Sequence, residues 1–424
     1  MTSRDTLRKG WCPGALRPME TGDGLLVRIR SRAGSFSLDA LETIADAAGR
    51  FGSGEIDLTN RANLQLRGLT IETYDDAIAA LAAAGLLDDD PAIEAVRNVI
   101  VDPLSGIDPA RTDVRPLALE LEQLLAERTE LHALPAKFGF KLEGRSEQCS
   151  GPLAADISLT ALDEETGVIR LDGDATTVAR VELSASVPAL ARLVTAFVAM
   201  NSATPSLRRM RDAVKHAGSA ELFAQAGLTA EAIDANSPSG EAWTAGPIGP
   251  NSAPFAVAIG LPFGRISAHD LRLLCEAAAA AGCTDVRPSS RRAFVFGVAG
   301  ADADALLNCA KALGLIIGTA DPRIGVDVCP GMPACRNATT QTRADAERLL
   351  AAIAQRGLHV PSIHISGCDK GCARRSAAAW TLVARNGAYA VIQDGTVDDA
   401  PHITRIAPAE LATLAAQLFT RGLS

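Results

Sequence analysis

The sequence predicts an α/β protein in which one structural unit occurs twice. Residues 25–68 align with residues 255–298 without a gap, at a constant separation of 230 positions, as from Val27 to Val257. In each copy an alternating strand is followed by a turn, a helix and a pair of short strands. Repeats of this length are too long for a solenoid, so they indicate a pseudo-twofold body with a cleft between its halves.

The elements of the unit are predicted from local patterns. Residues 25–30 read LLVRIR, an alternation of apolar and basic side chains that is typical of a half-buried strand. Ser37 and Ser267 stand where a helix N-cap belongs, and residues 55–68 read as two short strands around a turn. Beyond the units, residues 99–106 resemble 325–332, residues 131–144 resemble 358–372, and helices are expected over 116–128 and 344–356.

The bulk properties limit the class of protein. A chain of 424 residues has room for two or three cores, and its net charge of −9 argues against a nucleic-acid or anionic-membrane binder. The N-terminus has no apolar signal region and no later run reaches membrane-spanning length, so a cytoplasmic protein is expected. Five of the nine cysteines show no pairing pattern and are expected to be buried thiols: Cys12, Cys149, Cys275, Cys283 and Cys309.

Two cysteine pairs near the C-terminus have the spacing of a metal-cluster site. Five residues separate Cys329 from Cys335, three separate Cys368 from Cys372, and 32 lie between the pairs. Neighbouring glycines and prolines favour tight turns, which bring backbone N–H groups close to a bound cluster. Four such thiolates suit a [4Fe–4S] cluster, with one cysteine per iron. Structural zinc, whose cysteines usually lie about two to four residues apart, and isolated buried thiols are the alternatives.

Basic side chains recur on strands and turns of both copies. Solvated surface charge is the alternative interpretation for any one of them. On an inward strand face, however, a guanidinium is costly to bury without an anion, and its planar fork suits carboxylates. The pattern therefore predicts a large polycarboxylate between the two halves, next to the cysteines. The residues expected to contact it are Arg28, Arg30, Arg61, Gln65, Arg67, Lys137, Lys141 and Arg291.

These motifs resemble the siroheme-dependent sulfite and nitrite reductase superfamily over nearly the full chain. TNRANLQLRG at residues 59–68 resembles its tetrapyrrole-contacting hairpin, LPAKF at 134–138 resembles its PxKF stretch, and the cysteine pairs match its cluster signature. The resemblance implies that Cys329, Cys335, Cys368 and Cys372 hold a [4Fe–4S] cluster, with Cys372 nearest the reacting site.

The resemblance also implies an internally duplicated fold, in which two ferredoxin-like half-domains are flanked by two α/β domains. The half-domains are expected over residues 1–72 and 239–316. The first α/β domain, with the clusterless repeat and the linker, is expected over 73–238. The α/β domain with the iron–sulfur site is expected over 317–424.

Within the superfamily, residues 9–30, 364–373 and 391–401 resemble the branch of the precorrin-3B synthases of aerobic cobalamin biosynthesis. This resemblance implies a monooxygenase that hydroxylates precorrin-3A with dioxygen while a ring acetate closes to a γ-lactone, before ring contraction. It implies a mononuclear non-haem iron, for which His359 and His364 lie nearest the second cysteine pair, and NADH as reductant. Because the chain has no nucleotide-binding fingerprint, a separate reductase is expected to pass the electrons.

Two departures from the reductase pattern favour this branch. The stretch 367–372 reads GCDKGC where the reductases have GCPNGC, and of their paired lysines only Lys137 remains, followed by Gly139. Loss of groups that protonate sulfite or nitrite suits a protein whose tetrapyrrole is its substrate. A siroheme-dependent sulfite or nitrite reductase is one alternative, and a non-catalytic tetrapyrrole carrier or iron–sulfur scaffold is another.

Overall fold

The first unit of the chain is a strand–helix–hairpin arrangement followed by a second helix. The computed structural model describes residues 13–145, 155–233, 245–250, 254–298, 303–358 and 362–419. The helix begins at its predicted N-cap, where the Ser37 hydroxyl accepts a 3.1 Å hydrogen bond from the Ala40 N–H. The elements are β1 Met19–Thr21, β2 Gly24–Ile29, β3 Phe36–Ser37, α1 Leu38–Phe51, β4 Glu55–Leu58, β5 Leu64–Leu69 and α2 Ile71–Ala83.

The second segment forms a mixed sheet with helices packed on it. Its strand order is β11-β10-β9-β8-β7-β6, with β6, β7 and β8 parallel and the remaining pairs antiparallel. The elements are α3 Pro91–Val96, β6 Val99–Val101, α4 Arg115–Glu127, β7 Phe140–Glu143, β8 Ile157–Ala161, β9 Thr166–Leu171, β10 Thr177–Glu182, α5 Ser186–Ala203, α6 Met210–Ala217, α7 Ser219–Gln225 and β11 Ala230–Ala232.

The third segment repeats the first unit. Ser267 is the N-cap of its helix, as predicted, and accepts a 3.0 Å hydrogen bond from the Asp270 N–H. The elements are β12 Gly246–Ile248, β13 Ala256–Gly260, β14 Arg265–Ser267, α8 Ala268–Ala280, β15 Asp285–Pro288, β16 Ala293–Gly297 and α9 Ala303–Ala312.

The fourth segment repeats the mixed sheet. Its order is β17-β18-β19-β20-β21, with β17, β18 and β19 parallel and the later pairs antiparallel. The elements are β17 Val326–Val328, α10 Thr342–Gln355, β18 Ile363–Ser366, β19 Ala378–Arg385, β20 Ala388–Gly395, β21 Ile403–Ile406 and α11 Leu411–Phe419. The predicted α/β class with an internal duplication is confirmed.

The two copies of the unit exchange edge strands. The first sheet has the order β1-β2-β5-β4-β14 and the third has the order β12-β13-β16-β15-β3, so each half completes the sheet of the other. The pairs are antiparallel, with Ile266 opposite Ile56 and Val286 opposite Phe36. One continuous core lies beneath both sheets and includes Leu41 of α1 and Leu271 of α8, both fully buried. The two halves are therefore one body.

The two mixed sheets correspond more closely than the sequence alignment predicts. Strand β6 begins at Val99 and β17 at Val326, and the helices that follow begin at Arg115 and Thr342, a separation of 227 positions in both cases. The predicted alignment of residues 99–106 with 325–332 is therefore wrong by one residue. The predicted helices over 116–128 and 344–356 lie within two residues of their observed bounds.

Helix α5 is unusually long and apolar for a helix of this protein. The stretch Leu183–Ala203 is long and apolar enough to cross a membrane, which corrects the prediction that no stretch reaches that length. Its side chains Leu190, Leu193, Val194 and Phe197 are instead buried in the core of the second segment, against α4 and the sheet. A core helix passes the same test of length and composition.

Asp57 of β4 is the centre of a buried ion-pair network between segments. Its carboxylate lies 2.8 Å from both Arg265 of β14 and Arg343 of α10, and 3.7 Å from Arg67 of β5. Burial alone would raise the pKa of Asp57, but Arg343 and Arg265 outweigh it and hold that pKa lowered to about 2. One carboxylate therefore connects the first unit, its repeat and the fourth segment.

We expect Asp57→Asn to destabilise the protein at neutral pH, because it leaves buried guanidinium groups unpaired, at a cost of about 3–5 kcal/mol. The folded pKa is about 2, below the ordinary 3.8 of an aspartate. The contribution of Asp57 is therefore fully present above pH 4 and is lost as the pH falls towards 2. Thermal unfolding between pH 2 and 8 measures this, with the exposed Asp76→Asn as the matched control. Equal unfolding temperatures for both variants at pH 7 would contradict the assignment.

Candidate functional site

The four C-terminal cysteines lie at the carboxyl ends of two neighbouring parallel strands. Cys329 directly follows β17, and Cys368 follows β18 after Gly367. The two strands pair with Val328 opposite Ile365, and the Cys329 N–H donates to the Ile365 carbonyl at 3.2 Å. Because parallel strands end at the same edge of a sheet, both cysteine loops leave the sheet at one place.

The electrostatics place the four thiols together. Burial and, to a smaller extent, repulsion from the thiolates of Cys335, Cys372 and Cys329 together raise the pKa of Cys368 to about 11. Burial likewise raises the pKa of the Cys329 thiol. Loss of hydration at the sulfur and repulsion from neighbouring thiolates raise the pKa of Cys372, although the residue as a whole is exposed. Cys329 is buried, Cys335 and Cys368 are partly exposed, and Cys372 is exposed. Bringing four thiolates together at one site requires a cation to compensate their charge.

The backbone around the thiols is shaped to receive a cluster. The Gly367 N–H donates a 3.1 Å hydrogen bond to the Cys329 sulfur. Gly331 and Gly371 have φ of +68° and +60°, and a β-carbon at Gly371 would lie 2.9 Å from Val397. Hydrogen bonds from backbone N–H groups to sulfur are typical of iron–sulfur sites. The residues present therefore fit a cluster.

The arrangement fits a cluster better than a single ion. Within the described ranges, no group of three or more His, Cys, Asp or Glu side chains converges on one metal position. Structural zinc would need four sulfurs at about 2.3 Å from one ion, whereas a [4Fe–4S] cluster binds each cysteine to a different iron. Because no such group exists among the described residues, they also provide no set of ligands for the predicted non-haem iron. His364 is buried in β18, and His359 lies outside the described residues.

The other cysteines are placed apart from this site. Cys275 and Cys283 are buried in the central core, as expected. The expectation that Cys309 is buried is wrong, because Cys309 is partly exposed. Cys12 and Cys149 lie outside the described residues. Burial raises the pKa of Cys275 to about 12, which keeps it a neutral, unreactive thiol.

The first unit brings several of the predicted basic residues together. Arg28 of β2 and Gln65 of β5 are direct cross-strand partners, and Arg28 Nη2 lies 2.9 Å from the amide oxygen of Gln65 when that oxygen faces it. Arg61, in the turn between β4 and β5, donates from Nη2 to the carbonyl of Lys137 at 3.2 Å. The Lys137 side chain is exposed. These four residues line adjoining strands and loops.

Arg30 is buried at the end of β2 with unused hydrogen-bonding capacity. Its Nη1 lies 3.4 Å from Glu94 Oε1, but both Glu94 oxygens already accept from the backbone N–H groups of Ala15 and Leu16. Arg30 Nε and Nη1 have no hydrogen-bond partner in the described part of the chain. Burial and the charge of Arg28 lower the pKa of Arg30 to about 10, so it stays charged near neutral pH.

Arg67 and Lys141 have carboxylate partners inside the protein. Arg67 forms a bidentate pair with Asp23, at 2.9 and 3.0 Å, and is almost fully buried. Lys141 Nζ lies 2.8 Å from Glu143 Oε1, and both side chains are buried. The strand pattern predicts which face these residues occupy but not these partners. The two residues are therefore not carried into the binding proposal.

Arg291 is the repeat of Arg61. It lies in the turn between β15 and β16, and its backbone N–H donates to the Ser289 hydroxyl at 3.1 Å. The next residues, Ala62 and Arg292, both have positive φ, at +57° and +61°. The two turns are therefore equivalent, one in each half of the body.

Arg97 belongs to the same region, although no motif in the sequence points to it. It lies at the end of α3, almost fully buried. Its guanidinium binds Asp88 with Nε and Nη2 at 3.0–3.1 Å, and donates from Nη1 to the Ser31 carbonyl at 2.8 Å. Glu122 of α4 lies 3.7 Å away, and burial raises its pKa to about 7. The only signal in the sequence is a basic residue two positions before the β-branched strand β6.

The first mixed sheet has ion pairs where the second has cysteines. With the separation of 227 positions, Asp102 corresponds to Cys329 and Asp108 to Cys335. The Gly144 N–H donates to Asp102 at 3.2 Å, as the Gly367 N–H does to Cys329. Arg111 joins both carboxylates, at 3.2 Å to Asp102 and 3.0 Å to Asp108. The repeat has thus kept the loop geometry and replaced thiolates by a salt-bridged trio.

Comparisons with known proteins agree with this architecture. Residues 17–84 match the nitrite/sulfite reductase ferredoxin-like half domain. Residues 92–300, before the four cysteines, match the nitrite and sulphite reductase 4Fe-4S domain. The structure of the Mycobacterium tuberculosis NirA protein superposes with a TM-score of 0.76 at 19% identity, covering 94% of this chain and 81% of that one. That likeness concerns the fold.

Two relatives match most of the chain. A precorrin-3B synthase of Sinorhizobium sp is 30% identical over 93% of this chain and 85% of its own length. An assimilatory ferredoxin-dependent nitrite reductase of Haloferax mediterranei is 24% identical over 83% of this chain and 69% of its own. A ferredoxin–nitrite reductase of Synechococcus elongatus matches a shorter part, 31% identical over 36% of this chain. The chain therefore belongs to the sulfite and nitrite reductase superfamily, in the family of its precorrin-3B synthase relative.

Proposed function

We propose that this oxidoreductase converts precorrin-3A to precorrin-3B. One atom of dioxygen enters a meso carbon as hydroxyl, a ring acetate closes to a γ-lactone, and the second oxygen atom leaves as water with two electrons from a reductant. The observation that carries the proposal is the match to a precorrin-3B synthase along 93% of the chain. The two cysteine loops that leave the sheet at one edge, and the buried Arg30 with nitrogens that are unpartnered among the described residues, support it independently.

The four cysteines Cys329, Cys335, Cys368 and Cys372 are the proposed ligands of a [4Fe–4S] cluster. Such a cluster supplies single electrons at a potential set by its charge, hydrogen bonds and exposure. The chain contributes the Gly367 N–H, which stabilises the Cys329 thiolate, and the tight turns at Gly331 and Gly371. The hydroxylation also needs a centre that reacts with dioxygen, and we propose a mononuclear iron whose ligands are not assigned among the described residues.

Arg28, Arg30, Arg61 and Lys137 are proposed to bind the carboxylates of precorrin-3A. Arg30 is best suited, because two of its buried nitrogens, Nε and Nη1, lack hydrogen bonds among the described residues and a ligand oxygen could accept from either of them. Gln65 orients Arg28 across the strand pair. Arg291, equivalent to Arg61 in the other half, is proposed to contact the opposite side of the macrocycle. Binding from both halves would fix which meso carbon faces the cluster.

The same region argues against reduction of nitrite or sulfite, which the similarity to nitrite reductases would favour. The position two residues after Lys137 is Gly139, which has no side chain. Lys141 is held by Glu143 at 2.8 Å and is buried. A lysine engaged in this way is poorly placed to deliver protons to a small anion. We therefore propose that the tetrapyrrole is substrate and not prosthetic group.

The reductant is proposed to be NADH acting through a separate reductase, and the site of action the cytoplasm. The sequence contains no nucleotide-binding fingerprint, which favours an external donor. A reduced compartment also suits the exposed thiol of Cys372 before a cluster is installed.

Turnover with isotopically labelled dioxygen tests the proposed reaction. Anaerobically purified, cluster-replete protein, given precorrin-3A, a reductant and ¹⁸O-labelled dioxygen, should yield a product one oxygen atom heavier that carries the label. Mass spectrometry measures this, and a boiled sample is the control. Protein isolated with stoichiometric siroheme and active on nitrite would overturn the proposal in favour of a reductase. Tight precorrin binding without turnover would instead indicate a carrier.

Replacing a cluster ligand should abolish the cluster. We expect Cys335→Ala to lose most of its iron and sulfide and its broad visible absorption, because one iron would lose its thiolate ligand and the cluster would be held less tightly. Cys275→Ala is the matched control, a buried thiol in α8 that is expected to leave iron content unchanged. Chemical analysis of iron and sulfide decides between them. Equal loss in both variants would refute the ligand assignment.

Arg61→Ala should weaken precorrin-3A binding about ten- to hundredfold, because a lost charge-assisted hydrogen bond to a ligand costs on the order of 1.5–3 kcal/mol. Fluorescence or absorbance titration measures the affinity, and circular dichroism confirms the fold. Arg50→Ala, which removes an exposed arginine paired with Asp46 at 3.0 Å, is the control and should bind normally. Unchanged affinity in folded Arg61→Ala would count against this binding site.

A further inference from the structure

Arg67 connects the first unit to the loop that carries Cys335. Its guanidinium is 3% exposed and forms the bidentate pair with Asp23, in the turn between β1 and β2. The same Nη2 donates to the carbonyl of Ala334, the residue before Cys335. The Gly22 N–H donates to that carbonyl as well, at 3.2 Å. A single peptide group beside a proposed cluster ligand is therefore held by two donors from another segment.

The loop that carries Cys335 is also held near Cys329 and the start of α10, by hydrogen bonds that lead to Asp57 and from there to Arg67. The Thr342 hydroxyl donates to the Cys329 carbonyl at 2.7 Å, and the next residue, Arg343, donates to Asp57 at 2.8 Å. Asp57 also lies 3.7 Å from Arg67. Asp23, Asp57, Arg67 and Arg343 thus hold the loop at both ends, between the cysteine that follows β17 and the beginning of α10.

The charge of this network bears on the cluster. The guanidinium of Arg67 balances the carboxylate of Asp23, so a neutral residue in its place would leave a buried negative charge beside the loop of Cys335. A positive charge near a cluster favours its reduced, more negative state and so raises its reduction potential. The Ala334 carbonyl accepts from both Arg67 and Gly22, which holds its peptide group turned towards the first unit.

We propose that Arg67, oriented by Asp23, is a positioning residue that fixes the Cys335 loop and raises the reduction potential of the cluster. This role replaces the substrate contact that the sequence predicted for Arg67. It rests on the proposed cluster but not on the identity of the substrate. Because the fork of Arg67 is already filled by Asp23 and Ala334, no donor of its Nε and Nη2 is left for a substrate carboxylate.

The test compares full-length Arg67→Gln with wild type and with Arg50→Gln, whose exposed arginine pairs with Asp46 far from the loop. Redox titration followed by electron paramagnetic resonance measures the midpoint potential, alongside iron content and precorrin-3A affinity. We expect Arg67→Gln to have a lower potential than both references and a precorrin affinity within about twofold of theirs. A wild-type potential together with a tenfold loss of affinity would overturn the proposal and restore the substrate contact.

Arg67→Lys covers the case in which Arg67→Gln does not retain its cluster. Lysine keeps the charge but loses the bidentate geometry, so this variant should keep a near wild-type potential and lose iron more readily on dilution or chelation. The proposal would be refuted if Arg67→Lys held its iron as firmly as wild type and yet had a reduction potential as low as that expected for an uncharged residue at this position. Absence of an iron–sulfur spectrum from the wild-type protein would instead contradict the proposed function, so the two failures are distinguishable.

Discussion

The exchange of edge strands between the two copies of the unit is the constraint on which the rest of the molecule depends. Strand β14 completes the sheet of the first copy and β3 completes that of the second, so neither sheet reaches its full width alone. The exchange also places Arg265 beside Asp57, and Arg343 of the fourth segment binds the same carboxylate. The orientation of the thiols relative to the basic residues of β2 and β5 follows from this one pairing.

Buried charge is used in two different ways around the site. In the Asp57 network and at Arg97, guanidinium groups are matched by carboxylates and serve to join segments. At Arg30 the match is incomplete, since the Glu94 oxygens are shared with two backbone N–H groups. A buried cation whose N–H donors have no acceptor destabilises the folded protein unless a ligand supplies that acceptor. The contrast separates the arginines that hold the fold from the arginine best suited to hold a polycarboxylate.

Much of the architecture could be predicted from sequence because it depends on local pattern. The N-caps at Ser37 and Ser267 and the ungapped repeat are fixed by short-range chemistry, and the structure agrees with both. The partners of Arg67 could not be predicted, since Asp23 approaches it only after the strands of the first unit have paired and Ala334 only after the fourth segment has packed on that unit. The one-residue error in aligning the mixed sheets has a similar cause. Strand pairing, and not residue identity, sets that register.

The salt-bridged trio of the first mixed sheet has an evolutionary consequence. Asp102, Asp108 and Arg111 satisfy one another, so a single change of either aspartate to cysteine would leave a buried guanidinium short of a partner before any metal could bind. Several simultaneous substitutions would be needed to give that side a set of cysteines. The two repeats therefore differ in a way that a single mutation cannot undo, because the loops of one are held together by their own ion pairs whereas those of the other present thiols.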